Sequence, residues 1–156
     1  MRPTLRIWVP SNRERDDGSP APMDGLNEII ATNRTGWQVG QRIERENVQW
    51  VATFVRIAMR RSRYHVMTRE DRQVCDVHVR VHEVSKARDV ANVYGGVLKY
   101  TLDALTARHK YGAGAIWDDN STWLRSLTPS IVIDKEHPGL EIAVIPVTEK
   151  KEEKEG

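Results

Sequence analysis

One stretch, "VCDVHVRVHEV" (residues 74–84), limits what this chain can fold into more than any other. Cys75, Val77, Val79 and Val81 alternate with Asp76, His78, Arg80 and His82. Successive side chains of a strand point to opposite faces, so this pattern reads as a strand with one side buried and the other wet. Such a strand needs a sheet to join and a layer to cover its apolar side. A short link then leads to "RDVANVYGGVLKYTLDAL" (88–105), which has helical spacing instead. At about 100° per residue, Val90, Val93, Val97, Thr101 and Ala104 share one side. Asp89, Asn92, Gly96, Lys99 and Asp103 gather on the other. Glycine costs a helix about 1 kcal/mol relative to alanine, so Gly95 and Gly96 on a polar face call for a reason.

The remaining pattern extends this plan. "TLRIWVP" predicts a first strand closed by Pro10, and residues 11–24, "SNRERDDGSPAPMD", a mobile loop. "GLNEIIATNR" suits a short helix or turn. Gln41 to Arg61 is a long helix with Ile43, Trp50, Val51, Phe54, Val55 and Ala58 at core-facing spacing. Two further strands are expected around "WLRSLTPSIVI" and "LEIAVIPV". This order predicts an α+β domain over residues 1–148, with helices on one face of a small sheet. Residues 149–156 lack apolar side chains and predict a disordered charged tail.

Composition removes several classes. With 156 residues the chain suits one domain. No run approaches 18 apolar residues, and the first ten residues lack the apolar core of a signal peptide. Cys75 is the only cysteine, which leaves no intrachain disulfide and no cysteine zinc site, and suggests a reducing compartment. "YGAGA" lacks the Lys-Ser/Thr of a phosphate-binding loop, so no nucleotide cofactor is expected. The net charge of +2 is mild, but Arg56, Arg60, Arg61, Arg63 and Arg69 crowd into fourteen positions. That cluster suits phosphate contacts, and equally a solvated helix end.

Three acids could carry chemistry. Hard divalent cations take carboxylate oxygens, often two from the protein, with water and substrate phosphate completing the shell. Asp89 and the pair Asp118–Asp119 would make such a site if they met, with Lys99 stabilising charge on a phosphate. Glycine on that helix face would let a nucleic-acid backbone come close. Asp89 equally suits a helix N-cap, and Asp118–Asp119 a turn. Glu83 is in phase with the valines and suits either a further ligand or a strand end turned into solvent. His78 and His82 lie roughly 13 Å apart on one strand face, too far for a shared metal. Trp37, Trp50, Trp117 and Trp123 are core or interface candidates, with stacking on an unpaired base as the other reading.

Taken together, "RDVANVYGGVLKYTLDAL", the following "WDD" and the opening "WVPSNRE" resemble the RusA-type Holliday junction resolvases, above all the divergent members of bacteriophages and prophages. The resemblance covers most of the chain. It implies an α+β fold in which two main helices pack on a small mixed sheet of about four strands. The implied activity is Mg²⁺-dependent cleavage of four-way DNA junctions or related branched DNA, with Mn²⁺ as a substitute, by a homodimer in the cytoplasm of a bacterium or phage-infected host. Residue by residue, Asp89, Lys99 and Asp119 match the catalytic positions. Asp89 and Asp119, with Asp118 in support, match the metal ligands, and Asn92 and Glu83 are auxiliaries. Arg56, Arg60, Arg61, Arg63 and Lys99 would contact DNA. Ala91 stands where the family motif has a second acid, and Lys99 lies about one turn later than in the founding type. The alternative is a DNA junction-binding protein whose catalysis is weakened by that loss. A blander third reading is a small structural or interaction module.

Overall fold

In the computed structural model, the described residues are 1–25, 27–30 and 37–148, without the side chains of 37–40. The alternating stretch forms β4 (Cys75–Glu83), with its apolar side buried. Around it lie β1 (Leu5–Pro10), β5 (Leu124–Ile133) and β6 (Gly139–Pro146) in the order β1-β6-β4-β5. β6 is antiparallel to both its neighbours, while β4 and β5 run parallel. A parallel pair needs a crossover, which α3 (Val90–Leu105) supplies. The expected α+β fold with a small mixed sheet is what forms.

Helix α2 (Trp37–Arg61) begins before the predicted Gln41 and packs on α3 and β1. Val48, Val51, Ala52, Val55 and Met59 of α2 meet Val93, Val97, Tyr100 and Ala104 of α3. Beneath them lie Leu5, Ile7, Val9, Val77, Val79, Val81, Leu140, Ile142 and Val144 from three strands. Each such aliphatic side chain, fully buried, is worth about 1.5–3 kcal/mol. The other sheet face carries Arg6, Trp8, His78, Arg80 and Glu141. Along β5, which holds Pro129, the sheet ends. Proline suits an edge because it has no N–H to donate.

Residues 11–24, expected as an irregular mobile loop, contain a small hairpin of β2 (Arg13–Glu14) and β3 (Pro20–Ala21). Gly18 turns it with a φ of +82°, and Asp17 accepts from the Ser19 N–H and hydroxyl. Residues 27–30 form α1 as far as it is described. The expected tail at 149–156 and the side chain of Trp37 lie outside the described residues.

The loop after α3 is a clasp. The Ala113 N–H donates to the Ala104 carbonyl, the Ala107 N–H to the Ile116 carbonyl and the Ile116 N–H to the Leu105 carbonyl. A Cβ on Gly112 would meet the Thr106 carbonyl oxygen at 1.8 Å, and Gly114 has a φ of +81°. The glycines of "YGAGA" therefore serve this backbone packing. At the other helix, Arg63 lies just past the end of α2 with a φ of 51°. The Tyr64 N–H there reaches back to the Met59 carbonyl at 2.9 Å. Glycine usually takes this left-handed position, and a side chain there costs roughly 1–2 kcal/mol.

Among the described residues, no helix is long and apolar enough to cross a membrane.

Candidate functional site

The N-terminal end of α3 is a fastened junction of charges. Asp89 is the N-cap, and its carboxylate accepts from the Ala91 N–H at 2.9 Å. The Asn92 side-chain oxygen accepts from the Asn27 N–H. Glu83 is not turned into solvent. It is 2 % exposed and takes both its bonds from Arg88, at 2.7 and 2.8 Å. Arg88 also donates to Glu28 and to the Met23 carbonyl. Burial works against the ionised form of Glu28, but the hydrogen bond and charge of Arg88, with further hydrogen bonds from its own backbone and from Asn92, together outweigh it and hold its pKa below the usual value. Arg13 pairs with Asp24 at 3.2 Å, and Asn47 donates to the same carboxylate at 2.9 Å.

The C-terminal end is open. Residues of α2 and α3 line a cleft of about 460 Å³ there, among them Gly95, Gly96, Lys99 and Asp103, with His109 from the following loop. The helix glycines thus face a cleft, as the close-approach reading requires. Lys99, 69 % exposed, stands 3.9 Å from Asp103, and His109 stands 4.0 Å from the same carboxylate. Asp118 and Asp119 form a turn, in which the Asp119 N–H donates to Asp118 at 2.8 Å and Asn120 donates to its second oxygen. The Asp119 carboxyl is pushed above its usual range. Burial is the first cause, followed by the hydrogen bond and charge of Asp118, with the charge of Asp103 adding to them. Trp117, just before the turn, has Arg72 and Arg108 over its ring at 5.7 and 5.6 Å, and Arg72 also covers Trp123 at 4.4 Å. Both tryptophans are therefore stacked on arginines beside the acids.

Asp89 and Asp119 do not meet. Parallel β4 and β5 place α3 between the C-terminal end of one and the N-terminal end of the other. Asp89 follows Glu83, the last residue of β4, whereas Asp119 precedes Leu124, which pairs with Cys75 at the start of β4. A 16-residue helix is about 24 Å long, so on the order of 20 Å separates the two acids. Mg²⁺–oxygen bonds are about 2.0–2.1 Å long, so no single ion touches both. The expected set Asp89–Asp118–Asp119 thus divides, with Asp118 and Asp119 on Lys99's side and Asp89 bound to the helix cap. Asp103 and His109 join the first group. Sequence reading gave neither a role, although Asp103 follows Lys99 by one helical turn. Among the described residues, no group of three or more His, Cys, Asp or Glu side chains is placed to hold a metal ion.

The expected DNA-contacting arginines also divide. Arg56 donates to the Tyr111 carbonyl at 2.9 Å and so braces the clasp. Arg60, Arg61 and Arg63 are exposed.

Against protein-family models, curated proteins and solved structures, the chain shows no match.

Proposed function

We propose that this chain is a Mg²⁺-dependent, structure-specific endonuclease for Holliday junctions or related branched DNA, acting as a homodimer. Its chemistry is assigned to the C-terminal end of α3. The observation that carries this reading is the Asp119 carboxyl, raised by burial and by its neighbours Asp118 and Asp103, with Asp103 itself lining the cleft that holds Lys99. Negative neighbours that resist ionisation are relieved by a hard cation. Asp118 and Asp119 would hold Mg²⁺, or Mn²⁺ in its stead, as a two-carboxylate site of the kind that leaves room for water and a substrate phosphate. When bound, the ion supplies positive charge at the phosphate and acidifies water. Lys99 binds a phosphate oxygen and stabilises the charge that develops on it, while Asp103 orients the ammonium. His109, across Asp103, is the group that hands a proton to the leaving oxygen.

A second reading is a junction-binding protein without cleavage. It is favoured by the cap at Asp89, by Ala91 beside it and by the ion-paired carboxylates around Arg88. A labelled four-way junction and a matched linear duplex, each with Mg²⁺, Mn²⁺ or EDTA, separate the two readings. We expect symmetric nicks on the junction alone, only with metal, lost in Asp119→Asn and kept in Asp89→Ala. Cleavage that survives Asp119→Asn would refute the site. A junction-specific gel shift without nicks in either metal would establish the binding protein instead.

A further inference from the structure

Arg63 occupies a backbone position at which glycine would be more stable. Its φ of 51° lies in the left-handed region just after α2, where the Cβ of any L-residue is crowded. No local bond repays that strain, since its exposed guanidinium has no hydrogen-bond or ion-pair partner among the described residues. Arg63 lines two hollows, one shared with Arg2 and Asp71 and the other a cavity of about 520 Å³ beyond the end of α2. In the second, Arg56, Arg60, Arg63 and His65 stand around an apolar floor that includes Met59 and Val66, and no acid is among the lining residues. Arginines around an acid-free hollow make a site for an anion, Arg60 and Arg63 with guanidiniums unpaired among the described residues and Arg56 held at its rim by the Tyr111 carbonyl. A strained residue at such a place is a mark of function. Arg61, next in the chain to Arg60, does not line the cavity.

We propose that Arg56, Arg60 and Arg63 form a clamp for the phosphate backbone of a DNA arm, separate from the cleft beside α3, and that the left-handed backbone at residue 63 is kept to aim its guanidinium into that clamp. This rests on the reading of the chain as a protein of branched DNA, and it adds which surface carries an arm. Of the arginines crowded in the sequence, Arg61 is excluded from the clamp. The chemistry recognised is the phosphodiester, not the base, so linear duplex and junction arms are held alike.

The test compares wild type, Arg63→Gly, Arg63→Lys and Arg61→Ala. Each is melted thermally and titrated with a junction and a linear duplex between about 50 and 200 mM salt. Arg63→Gly should melt about 2–4 °C higher, because glycine releases the strain. It should also bind both DNAs roughly three- to tenfold more weakly, with a salt slope shallower by about one. Arg63→Lys should keep most of the affinity, and Arg61→Ala should lose clearly less than Arg63→Gly. Unchanged affinity and slope in Arg63→Gly would overturn the clamp, and so would equal losses in Arg63→Gly and Arg61→Ala, which would reduce the effect to net charge. Cleavage read in the same samples keeps the two proposals apart. A wild type that binds with these slopes but never cuts ends the nuclease reading and leaves the clamp. A wild type that binds neither DNA ends both.

Discussion

Two aspartates at opposite ends of one helix illustrate how environment divides identical side chains. Asp89 spends its carboxylate on the Ala91 N–H, while Asp119 sits among other acids. A carboxyl whose folded-state pKa lies above its unfolded value adds stability below the unfolded value, and that stability is lost as pH rises through the folded one. Ionised Asp119 therefore weakens the fold near neutrality. Asp119→Asn should melt higher than wild type at about pH 7, with the gain closing as pH falls through the carboxylate range near 4. Thermal melts across that range check this, and a lower melting point at neutral pH would contradict the crowding. The same mutation should remove activity, which separates the site's chemistry from its stability. At this scale the sequence was half legible. "WDD" singled out Asp118 and Asp119, and Lys99 stood out on a helix face. Asp103 lies one helical turn from Lys99, but that His109 and Asp119 come to it follows from the chain after α3, which no local spacing encodes.

At the scale of elements, the joint between β4 and α3 is held by the Glu83–Arg88 pair. Glu83 is nearly inaccessible, and Arg88 is partly buried. Removing one partner of a buried pair strands the other charge at a cost of about 3–5 kcal/mol, whereas replacing both with apolar residues is often far milder. Glu83→Gln should therefore lose about 3 kcal/mol in a denaturant titration, toward the lower end because Glu28 still faces Arg88. Glu83→Leu with Arg88→Met should recover part of it. A loss below about 1 kcal/mol in the single variant would show the pair to be incidental. The strand and both helices were readable because period 2 and period 3.6 leave direct marks on the apolar residues. Glu83 was misread because its partner lies five residues on, across a link, at neither a strand nor a helix spacing. The hairpin in 11–24 left no mark either, since two-residue strands are too short to alternate.

For the whole molecule, the balance of its carboxylates decides how it meets acid. Asp76 is lowered first by its hydrogen bond from Arg125, and Asp134 first by the backbone N–H of His137. Glu28 is lowered by Arg88 against the effect of burial. Groups with depressed folded-state pKa add stability above the unfolded value and lose it as pH falls through the folded one. These three act against Asp119, so the native state should weaken steadily below about pH 4. Melting curves that stay flat down to about pH 2 would show the pairs to be idle. The order of strands was the least legible feature, because alternation says which face a strand buries and nothing about its neighbours. That order matters for how the chain is made. Leu5 finds its ladder partner only in Val144. At roughly 5–20 residues added per second, β1 leaves the ribosome on the order of ten seconds before β6 exists to receive it. Through that interval Leu5, Ile7 and Val9 are an unpaired apolar strand, so the nascent chain is a natural client for whatever shelters such segments during synthesis.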